Sequence, residues 1–474
     1  MKKTGDAYFD SEEFRNILDN YEESVKSGHP IYMDADDLAD IADYYHFTGK
    51  DEEANEVIEY ALSLYPNSTL PNIFKARQEL AEGDVFIAQE YVKQIDNTDD
   101  PEYHYIQAEL LLAQNKVEEA DEYLRDYFLT VPPDEYQDFV MDVVNIYFDY
   151  GQEDKANEWL MRSKGDASNE FKEFMARTLF ELGKYKESEQ IFTELLDQDP
   201  YSKRYWNALA NTQIMNEDYQ GAITSSEYAI AIDPQDPDGI LNKANALYRQ
   251  GNYEKAIHYF DRYGEISQPD EFSLLHKGSC LLNINQNEQA LMVLQQALDI
   301  CPTDSSLLPQ IYHELALCCS ALHRKEEAIA YVDKTQELEC NHIDMMVLKG
   351  HIYLENDDVN EAEEIFKTAI ICSNNDPLII MRIIVSHYDN KYVSTSYEMF
   401  KKFYSTVVDK DFNHGYSYMA LCCWDLGYVE EFLFYLRMAI DRNPREARLV
   451  LGFLFPEEMA AKDYYNYIYH KLKK

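Results

Sequence analysis

The stretch Lys203–Asp236, KRYWNALANTQIMNEDYQGAITSSEYAIAIDPQD, decides the fold. Trp206, Leu209 and Ala210 stand at helical spacing, and Tyr219, Ala222 and Ala229 do so again after a short break. Pro234 then stops the second helical run. Two helices of about 12–14 residues joined by a tight turn account for the whole segment.

The same pattern runs outward in both directions. A small residue marks the second helix at Ala54, Ala88, Ala120, Ala156, Ser188, Ala222, Ala256, Ala290, Ala328, Ala362 and Ser396, and Phe432 takes that place in a twelfth unit. The intervals run from 32 to 38 residues, most often 34. Five residues before the marker stand Gly49, Gly83, Gly151, Gly183, Gly251 and Gly427, with Asn115, Asn285 and Asp357 in other units. These residue types tolerate the left-handed conformation that ends a helix. Twelve residues after the marker stand Pro66, Pro132, Pro200, Pro234, Pro302 and Pro444. Pro101, Pro237, Pro309 and Pro377 sit where the next first helix opens.

Small residues near the expected helix crossing are Ala42, Ala76, Ala108, Ala210, Ala244, Gly278, Gly350 and Ala420. They allow helices to approach within about 8–10 Å. Aromatics at fixed offsets, among them Tyr45, Tyr147, Tyr185, Tyr219, Tyr253, Phe192, Phe260 and Phe366, are expected to fill the space between units. One unit cannot bury its apolar faces alone, so a stack of about twelve forms an all-α solenoid.

These residues resemble the tetratricopeptide repeat family. The match is fullest at 203–236, extends over roughly 35–446, and is weakest at 377–412, where Ser396 replaces alanine and no proline closes the unit. The resemblance implies a right-handed superhelix whose first helices line a concave groove that binds proteins or peptides. The expected organisation is an N-terminal capping helix in 1–34, tandem repeats in 35–446 and capping helices in 447–474. The first cap opens at Asp10 or Ser11, with Phe14, Ile17, Leu18 and Tyr21 on one stripe. The second carries Tyr464, Tyr465, Tyr467, Ile468, Tyr469 and Leu472, which read as a cover for the last repeat or, alternatively, as a homodimer contact.

The net charge of −46 argues against nucleic acid and against an anionic membrane surface, and favours a partner with a basic segment. Such charge also simply keeps a long chain soluble. Residues 1–100 hold 24 acids against 8 bases; 445–474 hold 4 against 6, ending in Lys471, Lys473 and Lys474. Cys280, Cys301, Cys318, Cys319, Cys340, Cys372, Cys422 and Cys423 form no CxxC. They read as buried free thiols in a reducing, cytoplasmic compartment. No leader and no apolar run of spanning length is visible.

No phosphate loop, dinucleotide fingerprint, zinc helix or nucleophile elbow occurs, so neither enzyme activity nor a cofactor or metal is expected. His313 with Glu314, and His342 with Asp344, lack a third ligand at a useful spacing. Projected onto the inner face, Arg177, Arg204, Asn207, Asn211, Asn242, Asn245 and Arg249 form a polar ladder, with His276 and Asn283 beyond. Asparagine both donates and accepts, so such a ladder can hold a peptide backbone, while arginine can hold a carboxylate. The same residues also suit a merely solvated inner face.

The family's chaperone-clamping subclass uses lysines and asparagines. Asn211 and Asn242 fit two of its places, but Asn207 and Phe272 stand where lysines belong, so that ligand is not expected. Asp36, Asp43, Asp138 and Asp142 make the early groove acidic, and Leu378, Met381 and Val385 make its end apolar. The function expected is an interaction scaffold. The alternatives are a ligand-responsive regulator, acting for example on a response regulator, and a self-assembling structural protein.

Overall fold

The computed structural model describes residues 6–9, 11–27, 32–163, 168–338, 341–406, 412–456 and 459–472. Asp10, Cys340, Lys473 and Lys474 lie outside the described residues. Among those described, every regular element is helical. Two compact units divide the chain, Met1–Asn216 and Glu217–Lys474.

In the first unit, paired helices run Ala35–Phe47 with Asp51–Leu64, Thr69–Ala81 with Val85–Val92, Pro101–Ala113 with Val117–Phe128, Tyr136–Asp149 with Glu153–Leu160, and Asn169–Glu181 with Tyr185–Gln198; Lys203–Met215 ends the unit. In the second, Tyr219–Ile232 is followed by the pairs Pro237–Gln250 with Tyr253–Ile266, Glu271–Asn283 with Asn287–Ile300, Leu308–Ala321 with Lys325–Lys334, His342–Glu355 with Val359–Cys372, Pro377–Asp389 with Val393–Thr406, and Tyr416–Asp425 with Val429–Arg442.

The turn between paired helices obeys one rule throughout. The fifth residue before each marker has φ between +57° and +85° in all twelve places. Nine are the Gly, Asn and Asp residues named above. The other three are Glu217, His323 and Lys391, which residue type alone does not reveal. All twelve markers are buried. The two serines keep the packing of alanine and add a bond across the helix pair: Ser188 Oγ donates to the Ala176 carbonyl at 2.7 Å, and Ser396 Oγ to that of Ile384 at 3.0 Å. Phe432 fits because its ring packs against Trp424, at 4.9 Å between centroids.

At the crossings, a Cβ on Gly278 would lie 2.5 Å from the Leu294 side chain, and one on Gly350 would enter the Phe366 ring. The uneven intervals are absorbed after the second helices. The 3₁₀ turn Pro133–Glu135 lengthens one connection and residues 301–307 another. Val85–Val92, Glu153–Leu160 and Lys325–Lys334 are shorter than the sequence pattern predicts, and 3₁₀ turns at Met161–Ser163 and Thr335–Glu337 follow the last two.

Many of the acids have structural work. Asp34, Asp100, Asp236, Asp270 and Asp376 accept backbone N–H groups at the starts of first helices. In the second unit one joint between neighbouring repeats recurs in the same register: Lys243 to Glu227 at 2.7 Å, Lys277 to Asp261 at 2.5 Å and Lys349 to Asp333 at 2.5 Å. Tyrosine hydroxyls add joints about one repeat apart, from Tyr8 to Asp40, Tyr388 to Asp425 and Tyr397 to Glu431. They account for part of the high tyrosine content.

The N-terminal segment holds two helices rather than one, Asp6–Phe9 and Glu12–Ser27. Ser11 Oγ accepts the Phe14 N–H and so opens the second. Phe14 and Tyr21 are buried with Leu38, Ile41 and Tyr45 of the first repeat. At the other end Pro444 stops one helix and opens Pro444–Leu451. Tyr464 and Ile468 of Tyr464–Leu472 are buried, Tyr464 stacking on Phe455 at 3.8 Å.

Cys280, Cys318, Cys319, Cys422 and Cys423 are buried free thiols, but Cys372, at the end of its helix, is exposed and Cys301 half-buried. No helix among the described residues is long and apolar enough to cross a membrane.

Candidate functional site

The first helices of successive repeats present equivalent positions to one face. Six residues before each turn, the first unit carries Asp43, Arg77, Glu109, Asn145, Arg177 and Asn211, a column in which every member is polar or charged. Three successive first helices enclose a cavity of about 490 Å³ on this face. Leu80, Ala81, Ile146, Tyr105 and Tyr150 form its apolar and aromatic walls, and Arg77, Glu102, Glu109, Asp142 and Asp149 its charged lining.

Arg77 does not leave that cavity neutral. Its Nε and terminal nitrogen reach Glu109 at 3.0 and 2.8 Å, and the terminal nitrogen lies 3.4 Å from Glu102. Burial works against the guanidinium charge, but Glu109, Glu102 and Asp43 outweigh it and hold Arg77 above its ordinary range. Among the described lining residues one cation therefore faces four carboxylates, with Asp43 close behind. Burial pushes Asp43 up to about 6, against the partial relief that Arg77 gives. Burial likewise raises Asp142 and Asp149. Withdrawal from water disfavours a carboxylate anion. An added cation would remove that penalty.

The polar ladder divides between the units. In the first, Arg177 and Arg204 both hold the same buried Glu173 carboxylate, Arg177 Nε at 2.9 Å. One carboxylate thus answers two guanidiniums, both of which stay well exposed. Asn207 is half-buried and Asn211 is exposed. In the second unit Asn242 and Asn245 are half-buried and Arg249 exposed. The Asn245 Oδ1 atom is buried without a hydrogen-bond partner among the described residues. An acceptor in that state costs about 1–3 kcal/mol until a donor reaches it.

Further along the second unit, His276, His313 and His351 are held below the ordinary histidine range by burial, and burial raises Glu314 and Asp389. His351 Nδ1 sits 2.9 Å from Ser386 Oγ. Asp344 is engaged by Arg382. Leu378 is exposed, while Met381 and Val385 are half-buried. The sequence pattern reached Asp43, Asp142 and the asparagines. It missed Arg77, Glu102, Glu109 and Asp149. The column six residues before each turn, read down all units together, is the signal that would have found Arg77 and Glu109.

Family models match three stretches of the chain. "Anaphase-promoting complex, cyclosome, subunit 3" covers residues 215–297, and "Tetratricopeptide repeat" covers 175–237 and 343–370. Among solved structures, a tetratricopeptide repeat protein from Parabacteroides merdae is 15% identical, with 59% of this chain and 96% of that one covered and a TM-score of 0.41. The Cut9–Hcn1 hetero-tetramer of APC/C matches at 15% identity, 79% and 74% coverage and a TM-score of 0.36. YrrB, described as a TPR protein with an unusual peptide-binding site, matches at 17% identity, 40% and 95% coverage and 0.34. No curated protein matches the chain.

Proposed function

Because the chain is a tetratricopeptide-repeat protein, and so a protein-interaction scaffold in its general character, we propose that it captures a partner through a basic segment laid on its inner face. The observation that carries this reading is the acidic cavity of the first unit. Its apolar and tyrosine walls suit the methylene stem of a lysine or arginine, and its carboxylates suit the charged head. The general acidity of the chain supports the same choice by speeding encounter with a basic partner. In the second unit the asparagines supply backbone recognition. Asn245, half-buried on the inner face, has amide N–H and C=O groups of the kind that pair with a peptide backbone. We propose the sequence-based division into caps and tandem repeats as the working organisation, with the tyrosine-rich end serving as a cover and not as a dimer contact.

The test uses fluorescence anisotropy with three labelled peptides of equal length, one rich in Lys and Arg, one neutral and one acidic. Only the basic peptide should bind, and rising salt should weaken it. D43N/D142N/D149N should weaken it at least tenfold without loss of helicity. Equal binding of the neutral peptide, or no effect of the triple variant, would remove the cavity from the site.

A further inference from the structure

Arg445 and Glu217 form an ion pair at 3.0 Å, although 228 residues separate them. Both belong to the second unit. Glu217 sits just before the N-terminal end of Tyr219–Ile232, and Arg445 just after the C-terminal end of Val429–Arg442. In a stack of antiparallel helices, these two kinds of end lie on opposite edges of the ribbon. An edge can meet the opposite edge of its own ribbon only where the stack has come round once and begins to lie against its own start. Helices of 14 residues make that ribbon about 21 Å wide.

Glu217 has a second peculiarity. It occupies the left-handed turn position at φ +60°, where most other units carry Gly, Asn or Asp. Its side chain makes no other hydrogen bond or ion pair among the described residues. A residue poorly suited to its backbone site thus uses its side chain for this contact alone.

We infer that Glu217 and Arg445 act as a clasp that closes the second unit on itself, so that its inner face is reached from the ends when shut and from the side when open. This inference goes beyond the acidic cavity, which belongs to the first unit, and stands without it. Both partners are largely exposed, at 63% and 70%. An exposed pair shifts an equilibrium by no more than about fivefold. The clasp is therefore reversible and sensitive to ionic strength rather than a fixed strut.

The experiment places nitroxide-bearing non-canonical amino acids at the exposed positions Gln220 and Leu449 of the full chain, leaving the native thiols untouched. Pulsed dipolar spectroscopy then measures their separation. At low salt the expected result is a short, narrow population that loses weight in 1 M salt. E217K and R445E should each produce the same loss at low salt, and the swap E217R/R445E should restore the short population. Circular dichroism checks that every variant keeps its helices, and E217Q, which removes only the charge, serves if E217K does not fold. A distribution indifferent to salt and to every single substitution overturns the clasp. So does a swap that fails to restore closure while the singles open it.

Discussion

The twelve left-handed turns allow a stability experiment whose sign is set by geometry alone. A Cβ built on Gly83 or Gly251 meets no atom within 4 Å, so Gly→Ala there neither clashes nor packs. His323 and Lys391 hold the same conformation at φ +57° and +68°, and both are exposed. Among the described residues neither side chain makes a hydrogen bond or an ion pair that its removal would forfeit. The left-handed conformation costs an L-residue roughly 1–2 kcal/mol. Glycine's extra freedom in the unfolded chain returns about 0.5–1 kcal/mol of that in favour of the larger residue. The net is about 0.5–1 kcal/mol per site, with opposite sign in the two sets. Gly83→Ala and Gly251→Ala should destabilise, while His323→Gly and Lys391→Gly should stabilise. Urea unfolding followed by circular dichroism gives the direction. Amide exchange in the helices flanking each turn shows that the change is local, as nearest-neighbour coupling requires. If glycine at 391 lowers protection in Pro377–Asp389 and Val393–Thr406, the backbone argument is wrong.

Three further outcomes are expected. Gly350→Ala should destabilise by at least about 2 kcal/mol, because its Cβ would overlap the Phe366 ring, and Phe366→Leu in the same chain should recover part of the loss as read by urea midpoint. Burial pushes Cys318 and Cys423 up to about 12 and Cys319 and Cys422 to about 11, so native thiol titration should label the exposed Cys372 first and reach these four only on unfolding. Binding of the basic peptide should strengthen as pH rises from about 4 to 6 and then level off. The bound cation favours the Asp43 anion, so binding releases a proton below its value of about 6; calorimetry in two buffers counts that proton, and D43N should flatten the slope.

The fold was legible because its rule is repeated. Gly83, Asn115 and Asp357 each say little, but nine such positions in register with twelve buried markers leave no other architecture. Glu217, His323 and Lys391 were illegible because only neighbouring turns force them into a conformation their own type disfavours. Ser188 and Ser396 read correctly as stand-ins for alanine, yet their cross-helix bonds needed coordinates. The candidate site was legible in sign and not in detail. Asp43 and Asp142 mark an acidic face. Arg77, in the same column as Asp43, was missed, and its bonds to Glu109 and Glu102 show that its charge is already taken. Arg177 and Arg204 read as partner-facing from their positions, and the Glu173 carboxylate they share is visible only in three dimensions.

The uneven connections after the second helices have a mechanical consequence. First helices keep nearly constant length in all but Tyr416–Asp425 while the links between pairs do not, so direction is set at the links. From residues 301–307 onward, four further helix pairs precede Arg445. At about 9 Å per pair along the row of first helices they form a lever of roughly 35 Å, on which a 10° change at one link moves the far end by about 6 Å. An ion pair tolerates far less than that. The meeting of Arg445 with Glu217 is thus a gauge of the angles accumulated through the second unit, and trimming or extending the 301–307 link by one residue would swing the far end past its mark.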